Sequence, residues 1–491
     1  MGTDNSKVFL NVWAWIVLAI SSVGFGAEGK DGSASQWELA DAMETAFREG
    51  HINDAALEPI ISFYKAQAAK GDAKAIYRLG LCYRDGRGVK RDMPQAARLL
   101  IKASAGGDRK MLLAACDVAC EEAALRTIGA DILTPLVEPL KKLSGSGDPA
   151  AMARYAGFCM HGRAGVKKDP AEAIRLARLA ADKGDPRARW RLGNSLLIGR
   201  GVKPDGAKAM VLLKQAAEAG QTQAMTDLAR TFLNGDGSDG LKSQGLDYAK
   251  QAAAKDNPWA TYLLADCYRR GNGVKRDAEL AMKWYRQSAQ RGYARAMHLL
   301  GAALTLEGKG ASVQAKSEGF RWLIRAAEVG LAQAMCDTGR CLELGAGVEA
   351  DPAAAASWYV RAAQADSAEG SYRLALCYFN GTGVKVDLKK AAVMLEWAAT
   401  KGYPQAQGML GARLLSGKGV ARNAIKGVFM LKQASAGGHA DSMYALGLLY
   451  HVGGAVKKDP IQAASWLAKA DRAGHPSARA YAQKHRLHSN Q

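Results

Sequence analysis

The residues that could support catalysis form no complete motif. Ser62 and Lys65 match the pattern SxxK, which places a hydroxyl and a base on one face of a helix, but the SDN and KTG segments that complete such a site are absent. Residues 235–243 (GDGSDGLKS) approach a phosphate-binding P-loop, yet one residue too many precedes the lysine and the segment follows a helical pattern. No HExxH metal motif occurs. We therefore expect no enzymatic activity, no cofactor and no metal.

Cysteines are the other reactive side chains. Five of the eight recur at one position of a repeated pattern, where other copies have Leu or Ala: Cys82, Cys159, Cys267, Cys341 and Cys377. A position that accepts either residue type is that of a small buried side chain. Equivalent helices in stacked repeats lie about 8–10 Å apart, beyond ordinary disulfide reach. Cys116 and Cys120 have no His pair or second CxxC to complete a zinc site. The pattern favours free, buried thiols.

The charge and the N-terminus bear on location and partners. A formal net charge of +20 favours attraction to acidic peptides, anionic glycans or nucleic acid. Residues 8–27 are apolar, follow Lys7 and end in small residues, so residues 1–27 are predicted to be a signal peptide or N-terminal anchor. We expect an exported protein, periplasmic or secreted; the alternative is a chain anchored in a membrane by residues 8–27. Export argues against a nucleic-acid partner, and membrane contact is expected only through an uncleaved N-terminal segment.

A repeat of about 36 residues organises most of the chain. Two clear copies are AKAIYRLGLCYRDGRGVKRD (73–92) and ATYLLADCYRRGNGVKRD (260–277). In each copy Leu, Ala and an aromatic residue recur at spacings of three and four, which is typical of the buried stripe of a helix. The Gly-x-Gly that follows supplies a left-handed helix end, and an Asp such as Asp92 or Asp277 is placed to cap a second helix. A glycine inside the first helix, such as Gly80, indicates a close neighbouring backbone.

These features resemble the Sel-one-like repeats, which are relatives of the tetratricopeptide repeats. The resemblance rests on LGxxY, GxGVxxD, the Ala-rich second helix and the closing Gly, over residues 72–474. It implies an all-α fold, a right-handed α/α superhelical solenoid of about eleven hairpins that serves as a protein-binding scaffold. Some cysteine-rich bacterial members carry one disulfide per repeat and bind penicillin. A β-lactam-binding or cell-wall-binding hydrolase is therefore the alternative, although the regular cysteine pairs of those members are absent here.

The same reading divides the chain into segments. Residues 28–71 form a linker and an N-terminal helical cap, and residues 475–491 form a C-terminal helical cap with a basic tail. The repeats between them are expected at 72–107, 108–147, 148–184, 185–220, 221–255, 256–292, 293–330, 331–366, 367–402, 403–438 and 439–474. The copy at 108–147 is divergent because it lacks the Gly loop.

One face of the first helices is predicted to bind a partner. It consists of the positions six and three before, and one and four after, the glycine position of the Leu-Gly pair, and we call it the first-helix face. In the repeats from 148 to 330 this face carries five arginines, several aromatic residues and a single acid, Asp266. In the last four repeats acidic residues outnumber Arg340. We therefore predict a non-catalytic scaffold that binds an extended, acidic protein or peptide in a groove lined by Arg154, Phe158, Arg187, Trp190, Arg230, Trp259, Tyr262, Arg269, Arg295 and His298.

Overall fold

The structure is a computed structural model that describes residues 32–48, 52, 54–120, 128–235, 239–307 and 310–487. The predicted leader, residues 1–27, lies outside these ranges. Over the described residues the chain is helical with no strand, and none of their helices is long and apolar enough to cross a membrane. Contacts divide the chain into one unit of residues Met1–Arg230 and another of residues Thr231–Gln491.

The helices follow one another as antiparallel pairs. In chain order they are α1 (Gly32–Arg48), α2 (Glu58–Ala69), α3 (Ala73–Asp85), α4 (Met93–Ser104), α5 (Arg109–Cys120), α6 (Ala130–Leu133), α7 (Val137–Gly145), α8 (Pro149–His161), α9 (Pro170–Asp182), α10 (Pro186–Ile198), α11 (Gly206–Glu218), α12 (Thr222–Asn234), α13 (Asp239–Ala254), α14 (Pro258–Arg270), α15 (Ala278–Gln290), α16 (Ala294–Ala302), α17 (Val313–Glu328), α18 (Ala332–Leu344), α19 (Pro352–Gln364), α20 (Ala368–Asn380), α21 (Leu388–Thr400), α22 (Pro404–Ser416), α23 (Ala424–Ala436), α24 (Ala440–Val452), α25 (Pro460–Arg472) and α26 (Ala478–Lys484). Short 3₁₀ turns cover Asp54–Leu57 and Thr134–Leu136, and a π-turn covers Ala303–Glu307.

Local sequence explains where each helix begins and ends. Most first helices end at a glycine with positive φ, for example Gly86 at 72° and Gly381 at 73°, which L-residues rarely adopt. Most second helices begin at an Asp whose side chain accepts a backbone N–H, as Asp169 accepts that of Glu172 at 3.0 Å, and Ser312 and Asn423 take this role in two other repeats. Pro170 follows at the first helical position, where no N–H is needed. The capping pattern predicted from the sequence is confirmed.

The core lies between the two helices of a hairpin and between each second helix and the next first helix. Leu and Ala columns fill it, such as Leu264 and Ala289 in one repeat, both almost completely buried. The mid-helix glycines have two explanations rather than one. A Cβ on Gly301 would lie 2.8 Å from the backbone oxygen of Gly319, as expected, whereas a Cβ on Gly339 would meet the ring of Tyr359. Close side chains therefore exclude a Cβ at some positions where the sequence suggested a close backbone.

Candidate binding surface on the first helices

First helices of successive repeats contact one another within each unit. In the first unit α8 contacts both α5 and α10, and in the second unit α18 contacts both α16 and α20. Side chains on these helices can therefore reach the neighbouring repeat. The predicted site residues of the two units are described separately below.

Arg154 and Arg187 are held by one carboxylate. Arg154 on α8 donates from Nε and Nη2 to the two oxygens of Asp117 on α5, at 2.8 and 2.9 Å. Arg187 on α10 donates from Nη1 to the same carboxylate. Arg154 also donates to the backbone oxygens of Leu113 and Ala150. Its side chain is only 12% exposed, so most of its donors are already used within the protein.

Phe158 does not line a groove, and that prediction is wrong. The side chain is fully buried in a hydrophobic cluster that also contains Cys116 and Val118 of α5. Phe158 follows the glycine position of its repeat by one residue. The equivalent residue of a later repeat, Arg230, is exposed, but in the repeat of Phe158 the divergent repeat packs against α8. The helical spacing alone does not reveal this contact.

A second carboxylate organises Trp190 and Arg230. Asp227 on α12 accepts hydrogen bonds from the indole Nε1 of Trp190 at 2.7 Å and from the side-chain amide of Asn194 at 3.1 Å, both on α10. It also accepts from Arg230 at 2.8 Å, three residues away on its own helix. Trp190 is half-buried and Arg230 is 54% exposed. Arg230 thus keeps solvent access that Arg154 lacks.

In the second unit, Trp259, Tyr262 and Arg269 all lie on α14. Trp259 is half-buried near the start of the helix. Tyr262 packs against the rings of Tyr285 and Tyr293, with centroid distances of 5.8 and 5.1 Å. Arg269 pairs with Asp266, as does Arg270 at 2.8 Å, and Arg269 also donates to the hydroxyl of Tyr285 at 3.1 Å.

Arg295 and His298 lie on α16 and differ in their environments. Arg295 is exposed, and the described part of the chain provides it with no carboxylate partner. Burial raises the pKa of Tyr293, and the charge of Arg295 opposes that rise. The Nε2 atom of His298 lies 2.8 Å from a carboxylate oxygen of Asp337 on α18, and Arg340 donates to the other oxygen at 2.9 Å. Burial raises the pKa of Asp337, but the hydrogen bonds and charges of His298 and Arg340 lower it by more, so that its pKa lies below the ordinary value.

Three residues that the sequence analysis missed connect the predicted ones: Asp117, Asp227 and Asp337. Asp227 and Asp337 both lie two residues before the glycine position, outside the columns that defined the first-helix face. Asp117 belongs to the divergent repeat, which has no Gly loop from which to count. Helical spacing could have identified Asp227, because residues three or four apart lie side by side on a helix and Asp227 precedes Arg230 by three. The bridges between repeats need tertiary contacts and have no local signal.

The cysteines are free, as predicted, and all except the half-buried Cys120 are buried. Burial raises the pKa of Cys267 to about 12 and that of Cys341 to about 11. These thiols are therefore protonated near neutral pH and poor nucleophiles. Among the described residues, no group of three or more His, Cys, Asp and Glu side chains is arranged to hold a metal ion.

Comparison with protein families decides what kind of protein this is. The Sel1 repeat model matches ten segments that together cover more than half of the chain: residues 73–108, 149–185, 186–221, 222–257, 260–293, 294–331, 332–367, 368–403, 404–439 and 440–475. The chain belongs to the Sel1 repeat family. Its fold is accordingly an α/α repeat solenoid, a scaffold that typically takes part in protein interactions and is generally non-catalytic.

Solved structures of Sel1 repeat proteins are similar to this one. The crystal structure of c5321, described as a protective antigen present in uropathogenic Escherichia coli strains and displaying an SLR fold, is 26% identical with a TM-score of 0.55, and the match covers 87% of this Sel1 repeat protein and 90% of c5321. A Sel1 repeat protein from Oxalobacter formigenes is 27% identical with a TM-score of 0.46, over 51% of this chain and 96% of that one. No curated protein sequence matches the chain.

Proposed function

We propose that this Sel1 repeat protein is an exported scaffold that binds an extended, acidic segment of another protein across the first-helix face. The observation that carries the proposal is the bridging of neighbouring first helices by side chains of that face. Asp117 links α5, α8 and α10, and Asp337 links α16 to α18. A surface whose side chains are fixed before binding loses little conformational entropy when a ligand arrives.

Cations that remain accessible support a preference for acidic ligands. Arg295 is exposed without a carboxylate partner in the described chain, and Arg269 is 47% exposed. The half-buried rings of Trp259 and Tyr262 lie on α14, the helix that carries Arg269. Guanidinium groups supply bidentate contacts to carboxylates and aromatic rings supply contact area. Arg154 and Arg187 act differently in this proposal, because they hold Asp117 and stiffen the face.

Export is the second part of the proposal. It rests on the apolar segment at residues 8–27 and is compatible with the antigen description of c5321. N-terminal sequencing of the protein isolated from its native host tests it. A new N-terminus near residue 27 supports cleavage and export, whereas an intact leader in a membrane fraction supports an anchor and contradicts release.

Ligand binding is tested by reversing one accessible charge. Arg295→Glu is compared with Arg321→Glu, a matched change at an exposed position on the second helix α17. Partners are captured by crosslinking from the exported fraction and identified by mass spectrometry, with thermal unfolding as a check on folding. We expect Arg295→Glu to reduce capture of acidic partners and Arg321→Glu to leave it unchanged. Equal capture by both variants with intact stability would refute binding at this face.

A further inference from the structure

A recurring arrangement of Glu, Tyr and Arg reveals one place where the pattern is broken. In the second unit the hydroxyl of Tyr359 donates to Glu343 at 2.8 Å, and the guanidinium carbon of Arg373 lies 5.9 Å from the centre of the Tyr359 ring. Arg373 also donates to Glu369, four residues earlier, at 2.9 Å. The arginine is thereby compensated by carboxylates.

The same arrangement occurs near the N-terminus. The hydroxyl of Tyr64 donates to Glu44 at 2.7 Å, and Arg78 contacts both the Tyr64 hydroxyl at 3.3 Å and Glu44 at 3.2 Å. Tyr64 precedes Arg78 by the same fourteen residues that separate Tyr359 from Arg373. A carboxylate beside this arginine is thus a repeated feature.

The copy that ends in Arg191 has lost all three partners. Ala177 lies fourteen residues before Arg191, where the tyrosine would be, and His161 takes the place of Glu343. Arg187 takes the place of Glu369, and its charge is already paired with Asp117. A cavity of about 70 Å³ remains between α8, α9 and α10, with Ala177, His161 and Arg191 in its lining.

The guanidinium of Arg191 occupies a fixed position beside this cavity. A Cβ on Gly157 would lie 2.5 Å from its Nη2 atom, so the glycine leaves the space that the guanidinium fills. Its Nε atom is buried and has no hydrogen-bond partner among the described residues. Burial lowers the pKa of Arg191, and the side chain of Cys120 opposes this through its charge and through a hydrogen bond.

The groups around the cavity are basic. Desolvation, followed by the charges of Arg163, Arg191 and Arg200, lowers the pKa of His161 to about 4. Lys168 acts in the same direction, while α9 contributes only apolar side chains to the lining. His161 and Arg200 are exposed, so the cavity can be reached from solvent. A positive site favours an anion.

We propose that this cavity binds the side-chain carboxylate of an Asp or Glu residue in the partner protein. The proposal rests on the proposed function, since it names the group that the first-helix face recognises in the first unit. A carboxylate is the group that Glu343 and Glu44 supply in the intact copies, and the cavity lies where the tyrosine and glutamate side chains are missing. His161, Trp190 and Asn194 belong to the first-helix face and place the cavity on it.

The test uses the full chain and blocked pentapeptides. Ac-AAEAA-NH₂ carries one side-chain carboxylate, Ac-AAQAA-NH₂ carries none, and Ac-AAAAA-OH carries only a terminal one. Binding is measured by calorimetry at constant ionic strength and by the NMR signals of the His161 ring, assigned with His161→Gln. We expect the Glu peptide alone to bind, and to raise the pKa of His161 because a bound anion favours the imidazolium.

Two variants and a control locate the site. Arg191→Met should weaken binding about tenfold or more, because a charge-assisted hydrogen bond is lost. His161→Glu should abolish binding and raise thermal stability, because it restores the carboxylate of the intact copies. Arg373→Met, which removes an equivalent but compensated arginine, should leave binding unchanged.

Several results would overturn the inference. The wild-type protein could bind none of the peptides, bind the Gln peptide as tightly as the Glu peptide, or bind only the peptide with the terminal carboxylate. Arg191→Met could also bind the Glu peptide as tightly as the wild type does. Equal partner capture by Arg295→Glu and Arg321→Glu, with peptide binding intact, would refute the proposed function instead. Reduced capture by Arg295→Glu without any peptide binding would refute the cavity alone.

Discussion

Replacing Asp117 with Asn tests whether one carboxylate fixes three first helices. The change keeps the shape of the side chain but removes the charge that Arg154 and Arg187 share. A hydrogen bond to a charged group contributes about 1.5–3 kcal/mol, and the asparagine retains only part of these bonds. After the carboxylate is lost, water can replace its hydrogen bonds to Arg187, which is 21% exposed, more fully than those to Arg154, which is 12% exposed. We expect a local destabilisation of about 2 kcal/mol.

Hydrogen exchange is the appropriate assay because repeat proteins open locally rather than as a whole. Since each 1.4 kcal/mol corresponds to a factor of ten, amides of α5, α8 and α10 should exchange about 30-fold faster in Asp117→Asn. The matched control is Asp247→Asn, whose side chain is 62% exposed and pairs with Lys250 at 3.5 Å. It should change exchange by less than about twofold. Equal exchange in the two variants would refute the bridging role of Asp117.

Two further predictions concern the core and the thiols. Gly339→Ala should lower the free energy of unfolding by about 2 kcal/mol, because its Cβ would lie 2.5 Å from the rigid Tyr359 ring. Gly206→Ala should leave the free energy of unfolding unchanged, because the space around its Cβ is open. Urea unfolding measures both variants, and equal midpoints would contradict the close packing at Gly339. A disulfide-exchange thiol reagent at pH 7 should react first with half-buried Cys120 and slowly with the seven buried thiols, because burial raises the pKa of Cys82 and Cys267 to about 12 and of Cys336 and Cys377 to about 11. All eight thiols should react in denaturant. Rapid labelling of the seven buried thiols in the native chain would show that they are accessible.

The sequence predicted the fold because every local signal in a repeat agrees with the others. Gly381 ends a helix since it adopts positive φ, Asp387 caps the next one, and Ala375 and Leu395 from the two helices of this hairpin are buried in one hydrophobic cluster. Repetition multiplies these signals, so a weak pattern in one copy is recognisable in ten. The free cysteines followed from the same alignment of copies.

The candidate site was less accessible to sequence reasoning. Arg295 and Arg269 were placed on an exposed face, whereas Phe158 was assigned to that face although α5 covers it. The count of charges omitted Asp117 because the divergent repeat could not be aligned on the Gly loop. Helical periodicity specifies the direction of a side chain on its own helix, but not which neighbouring helix meets it.

By itself the sequence determined the helices, their caps and their order, because these depend on residues at most a few positions apart. Tertiary structure alone decided which charges are compensated. Arg78, Arg191 and Arg373 occupy the same position of the repeat, yet Arg78 and Arg373 meet carboxylates, whereas Arg191 lines a cavity and the described residues give its buried Nε no hydrogen-bond partner. The difference arises from Ala177, His161 and Arg187, which come from three different helices, and only packing brings their effects together at one guanidinium.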